Sequence, residues 1–480
     1  MQTPKRGIAV YLSWTILFLI LFLTSILAIN IFPTHAAVNE DTYTGWLTII
    51  WGDAPNGDSA DTTEYTLHHP DEGNIELTLG ENEEVLSGLL LALDRQQVTA
   101  QGKTQLSSQN EQKTLEITAI TPVNLQADDL EATAVTGAQP FVSIMCKFAD
   151  ISAEPKNWTY FQNMYASTYP GLNHYWQEVS YNTANINGST AYGWYTLPHA
   201  RSYYVYNGSL DFDRAAVDCT GVANAHINFA NVKGINLMFN ADLDGYAWGG
   251  THYLTLDGIS KVWSVTWEPP WGYTDITVIS HEMGHAFGLP HSSGTYGQTY
   301  DNEWDVMSDT WSNCGNSSHI TYGCLGQHTI SYHKDRLGWI PANQKYTVNQ
   351  YTYASLTLEQ LALPQTSNYK MAQIPIGGSS THFYTVEVRR KTGYDVKLPG
   401  QAVIIHEVDL SRSRPANVID IDDDGDTGDV GAMWTVGETF TDTTNNIKIS
   451  VTAATATGFN VTISNATVPP PDNFRVTGSG

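Results

Sequence analysis

The chain has 480 residues and a formal net charge of -26, with 49 Asp and Glu against 23 Lys and Arg. That length exceeds one ordinary core and predicts two or three globular units, while 41% hydrophobic residues, 14 Trp and 26 Tyr exclude a disordered chain. An acidic balance with no basic cluster excludes a nucleic-acid surface, because binding phosphates needs local positive charge.

In chain order, residues 1–38 come first. Lys5 and Arg6 precede an uncharged apolar run from Gly7 to about Phe32, followed by Pro33-Thr34-His35-Ala36-Ala37. Positive end, apolar core and small residues in that order are an export signal, with cleavage expected near Ala36 or Ala37. The run is also long enough to span a bilayer, so a retained signal anchor is the alternative, and membrane contact is expected only then. In both cases the positive-inside bias puts the remaining chain outside the cell. The four cysteines, Cys146, Cys219, Cys314 and Cys324, favour disulfides in that compartment, and Cys314 with Cys324 would close a short loop. Cys146, in an apolar strand, also reads as a buried free thiol. Sequons such as Asn187-Gly188-Ser189 and Asn460-Val461-Thr462 fit an exported chain, although so short a pattern is frequent by chance.

Residues 39–139 carry short alternating runs, Trp46 to Trp51, Ile75 to Leu79 and Leu115 to Ile120, separated by Gly, Asp, Asn and Pro. They predict a small β-barrel or sandwich with no catalytic constellation, and His68 and His69 read as surface residues. Residues 140–343 alternate strands with helices: a strand at Phe141 to Phe148, an amphipathic helix around Trp158 to Tyr169, strands at Gly234 to Asn240 and Val262 to Trp267. This is an α/β unit. Trp248, Trp263 and Trp267 are expected to pack in it. A helix capped by Thr274 or Asp275 carries Ile276 through Phe287 and stops at Gly288. Residues 344–466 return to short strands, such as Phe383 to Arg389, Ala402 to Val408 and Ile447 to Val451, and predict an all-β sandwich. A Pro-rich tail or linker, 467–480, ends the chain.

The chemistry concentrates in Ser280-His281-Glu282-Met283-Gly284-His285-Ala286-Phe287-Gly288-Leu289-Pro290-His291. Histidines four apart share one helix face, so both imidazoles reach one ion while Glu282 projects beside them. Zinc takes about four ligands, and three from protein leave a place for water. His291 is the third if the chain reverses after the helix, which Gly288 permits by adopting a positive φ. The extended H-E-x-x-H-x-x-G-x-x-H form is a specific signal for zinc, with Glu282 as general base.

That motif resembles the metzincin zinc metallopeptidases, and the resemblance implies that 140–343 is a metzincin-type catalytic domain with a twisted mixed sheet and an active-site helix. The resemblance implies a methionine turn under the metal, and Asp305-Val306-Met307-Ser308 fits it, making Met307 an apolar floor; a Tyr two residues later, used by some metzincins, is replaced by Asp309. Tyr175 to Tyr181, His281 to His291, Trp304 to Ser308 and Lys334 to Trp339 are similar to gametolysin-like and immune-inhibitor-A-like secreted peptidases. His291, where the latter group usually has Asp, tilts the likeness toward gametolysin. The resemblance implies an endopeptidase acting on extracellular protein or peptide substrates. It also implies a zymogen in which 39–139 is a propeptide that, having no cysteine, cannot silence zinc with a thiolate.

Asp420-Ile421-Asp422-Asp423-Asp424-Gly425-Asp426 opens like a calcium loop, but its twelfth position is Gly431 rather than Glu, which rules out an EF-hand. A looser calcium site using Asp420, Asp422 and Asp424, with Asp429 as a further candidate, and a solvated acidic loop are equal readings. His226, His252, His319, His328 and His333 lack ligand spacing and read as structural. The competing function is an extracellular adhesion or matrix-binding protein with a structural or vestigial zinc site. Glu282 weighs against it, since a structural site needs no carboxylate between its histidines.

Overall fold

The computed structural model describes residues 40–465 apart from 58–60, 81–82, 107–112, 124–133, 295–297 and 423. The export segment at 1–38 and the tail at 467–480 lie outside the described residues. No helix among the described residues is long and apolar enough to cross a membrane. The architecture is mostly β, with several sheets.

Five strands near the start, β1 (Asp41–Asp53), β2 (Thr62–His69), β3 (Gly73–Thr78), β4 (Gln97–Leu106) and β5 (Lys113–Pro122), close into a barrel in the order β2-β3-β5-β4-β1, with β2 also pairing β1. Its core is Leu47, Ile49, Leu67, Ile75, Val98, Leu115 and their neighbours, sealed by helix α1 (Glu83–Leu93) through Leu86, Leu90 and Leu93. The sequence reading missed that helix, whose Leu-rich run lacks the polar alternation of a strand. His68 is not a free surface residue either: its ring stacks on Tyr253 at 4.0 Å and bonds Asn74.

The barrel is continuous with a central sheet. There β6 (Phe141–Lys147), β7 (Thr190–Thr196), β8 (Gly234–Phe239), β9 (Ala247–Leu256) and β10 (Ile259–Glu268) run in the order β9-β10-β8-β6-β7. All neighbours are parallel except the β9–β10 hairpin, so the sheet is mixed. β6 and β8 are buried almost throughout, as parallel strands covered on both faces must be. One face packs on Phe161, Trp176, Ile276, Ile279 and Met283, and the other on Ala215, Ala216 and Ala223 of helix Phe212–Ala223. Trp248, Trp263 and Trp267 are core residues, as expected. The helix expected at Trp158 to Tyr169 stops at Met164, and a second begins at Leu172.

Besides three two-stranded ribbons, the remaining described strands form a six-stranded and a four-stranded sheet that face each other across Leu358, Ile374, Val386, Ile405, Ile449, Val461 and Ile463. Two disulfides brace the molecule, consistent with an extracellular protein: Cys146–Cys219 ties β6 to the helix over it, and Cys314–Cys324 closes the short loop. Cys146 is therefore not a free thiol.

The join between barrel and sheet positions the site. The last residues of β1, Ile50 to Gly52 of which also pair with β2 in the barrel, pair antiparallel with the edge strand β9, Ile50 with Gly250 through Asp53 with Ala247. Being covered on both faces there, β1 is buried without interruption from Leu47 to Asp53.

Candidate metal centre

Helix α2 (Ile276–Ala286) carries the first two candidate ligands. Asp275 stands at its N-cap, but its carboxylate accepts from the Cys324 amide instead of capping the helix. The helix ends as the glycine demands: Gly288 has φ +96°, and the Leu289 amide closes back onto the Gly284 carbonyl. Two other glycines permit close approach. A Cβ at Gly249 would meet the Glu282 carbonyl at 2.3 Å, so β9 lies directly against the helix; one at Gly284 would meet Met307 Sδ at 2.3 Å. Met307 is fully buried under the helix, and the Val306 carbonyl beside it receives the His281 ring.

The reversal brings His281, His285 and His291 together. Their Nε2 atoms lie 3.0, 3.1 and 3.2 Å apart, and all three rings are buried. His281 Nδ1 is 2.6 Å from the Val306 carbonyl and His285 Nδ1 is 2.7 Å from that of Leu289; carbonyls only accept, so both Nδ1 atoms carry the proton. Each Nε2 then presents a lone pair to the others, an arrangement that repels unless a cation sits among them. Nitrogens bound 2.0–2.1 Å from one tetrahedral ion lie about 3.3 Å apart, close to the observed spacing.

A fourth donor completes the cluster. Asp53, the last residue of β1, places Oδ1 2.9 Å from His291 Nε2 and Oδ2 3.2 and 3.5 Å from the Nε2 atoms of His281 and His285. Asp53 Oδ2 is buried and without a hydrogen-bond donor, which a cation explains. Asp53, His281, His285 and His291 can hold a metal ion. No family model and no curated protein matches this sequence.

The barrel grips the site further. Trp51 stacks on the His285 ring at 4.8 Å, and Asp61 accepts from His291 Nδ1 at 2.8 Å. Arg414, from the C-terminal sheets, pairs with the other Asp61 oxygen; burial raises this carboxyl, but His291 and Arg414 hold it down at about 2. The sequence reading found no functional residue in 39–139, and Asp53 and Asp61 correct it.

Glu282 is fully buried with neither oxygen hydrogen-bonded, and burial, then the charges of Asp53 and Glu268, raise it well above the ordinary carboxylate range. Glu268, at the end of β10, is equally buried and likewise raised by burial and Asp53. The loop bearing Met307 is fixed from below. Asp305 accepts from Ser292 Oγ, the Met307 amide and His333, while Arg389, clamped by Asp395 and Glu387, donates to the Trp304 carbonyl. His328 and His252 pair with Glu178 and Asp213, so these histidines are structural, as expected.

The acidic loop divides differently from the expectation. Asp420, Asp422 and Asp429 bring carboxylate oxygens within 4.8 Å of one another, whereas Asp424 turns away to accept from the Asp426 amide. Asp424 is not in the cluster because that Asx turn takes its carboxylate.

Proposed function

We propose that the protein is a secreted zinc endopeptidase of the metzincin type in latent form. The observation that carries this reading is a buried three-imidazole cluster whose fourth donor comes from a separate barrel, beside a carboxylate with no structural partner. Zinc suits an all-nitrogen set with one carboxylate; when bound it supplies Lewis acidity, polarising a water and a peptide carbonyl. Glu282 accepts the proton of the attacking water and returns it to the leaving amine. Val306 and Leu289 carbonyls keep the helix imidazoles in the donor tautomer.

Latency follows from β1. It occupies the β9 edge, where an extended peptide would add a strand, and its Asp53 takes the ligand position that water needs. A carboxylate here does what the missing propeptide cysteine cannot. The four-ligand closure also favours a second reading, a structural metal site in an adhesion or matrix-binding protein, and the two diverge once the barrel leaves.

Metal analysis of the full chain, joined to cleavage of a mixed peptide library before and after limited proteolysis, separates them. The peptidase reading expects one zinc and chelator-reversible cleavage that appears on processing. Zinc without cleavage in any processed form would leave the structural reading.

A further inference from the structure

The strand that fills the β9 edge fits it residue by residue. On the sheet face that packs on helix Phe212–Ala223, Ile50 of β1 pairs with Gly250 and Gly52 pairs with Trp248, so each strand has a glycine where the other has bulk. The second pair is the tighter. A Cβ on Gly52 would lie within 2.8 Å of three carbons of the Trp248 ring, a distance at which the strand or the indole has to move. On the opposite face Trp51 stacks on His285 and Asp53 reaches the metal centre, so Gly52 immediately precedes the residue at the metal.

The indole is held from behind. Its Nε1 donates to Asp244 Oδ1 at 2.9 Å, and the other Asp244 oxygen accepts from the Leu210 amide at 2.9 Å. Phe212 stands edge-on to the ring at 4.8 Å, and Trp267 of β10 is the cross-strand neighbour. All four residues belong to the α/β unit and none to the barrel, so the ring keeps its place when the barrel leaves. Two residues earlier along β1 there is no such obstruction: Gly250 offers no side chain, and Ile50 is buried in the core of that face.

We propose that Trp248 is a specificity-determining residue: it closes the β9 edge beside the metal centre to side chains and selects peptides with glycine at the position opposite it. This rests on the peptidase reading. A peptide that adds antiparallel to β9 runs in the direction of β1, so its glycine falls on the N-terminal side of the scissile bond. The position two residues before that glycine faces Gly250 and takes a large apolar side chain, as it takes Ile50. Gly52 is the barrel's own answer to the same constraint.

The test uses the full chain processed by limited proteolysis. A mixed peptide library, with cut sites read by mass spectrometry, should concentrate glycine at one position before the cut while admitting bulky apolar residues two positions earlier. In a fluorogenic series varied at the glycine position, kcat/KM for Gly should exceed that for Ala by on the order of 10-fold and that for Leu by on the order of 100-fold. Trp248→Val, which clears the face and suits a strand, should bring the Gly-to-Leu ratio below about three-fold. Because the ratio compares substrates on one protein, lost folding or lost metal lowers both terms and leaves it unmoved. Should Trp248→Val not fold, Asp244→Ser, which frees the indole without deleting it, reads the same ratio. Cleavage by the wild type with no glycine position, or a glycine preference that persists in the folded variant, overturns the proposal while the peptidase reading stands. A wild type that cleaves nothing after processing removes both.

Discussion

Among the described residues, two groups of side chains can gather round a cation, and they differ in almost every other respect. The His281–His285–His291–Asp53 cluster is buried, its helix-borne tautomers are fixed by backbone carbonyls, and its lone pairs converge. The Asp420–Asp422–Asp429 cluster runs from buried to exposed, and crowding, through lost hydration and then the charges of Asp429 and Asp420, raises the Asp422 carboxyl. The first arrangement makes little sense without an ion, whereas the second can remain hydrated. Burial and donor orientation, rather than the number of acidic groups, separate a metal centre from an acidic loop.

The sharpest way to break that contrast is to remove the ions. Stripping the metal that the imidazole cluster would hold should cost on the order of 4 kcal/mol or more of stability, seen as a large fall in Tm with a strong chelator, since binding to the folded state alone adds RT ln(1 + [L]/Kd). A chelator-insensitive Tm would erase the distinction. On the peptidase reading, Glu282→Gln sharpens it from the other side: metal content should stay at the wild-type level while turnover of the processed protein falls by about 10³-fold or more, measured as peptide cleavage per bound metal. Zinc loss in this variant would recast Glu282 as part of the binding site.

A buried histidine away from any ion provides a third comparison. His406 is fully buried, bonded to Asn302 through Nε2, with Nδ1 unpaired. Burial lowers it to about 4, with Glu387 and Asp305 opposing and Arg389 and His333 assisting. The folded form thus refuses a proton that the unfolded chain takes near pH 6.5. Its contribution is present above that pH and is lost as pH falls toward about 4, to a limit on the order of 3 kcal/mol. Denaturant unfolding of wild type and His406→Gln between pH 7 and 4 should show a flatter profile in the variant; parallel profiles would contradict the assignment. The smallest effect is expected at the acidic loop. If it binds calcium, millimolar calcium raises the Tm of zinc-loaded protein by about 2 °C, and Asp422→Asn abolishes the rise. No rise in wild type assigns the loop to solvent.

The helix ligands, Gly288 and Met307 were legible because each is fixed by local spacing: a four-residue interval, a positive-φ turn, a loop that returns under the same helix. Asp53 and Asp61 were not. Asp53 meets His291 across a sequence separation of 238 residues, and no local pattern encodes which strand will lie along the edge of β9. One signal was available: an acidic residue closing the apolar run Trp46 to Trp51 through a glycine, where a surface strand would have no reason to be buried to its end. The strand pattern marked the barrel, but α1 was lost because a short Leu-rich run has no period to tell helix from strand.

The central claim is that Asp53 is a replaceable fourth ligand on a three-imidazole site. Cobalt-substituted full-length protein tests it directly, by titrating wild type and Asp53→Ala with azide and following the visible spectrum. One cobalt per chain in both, with a spectrum that responds to azide only in Asp53→Ala, is the predicted result. An azide response in the wild type, or an unresponsive Asp53→Ala that still holds its metal, would contradict it.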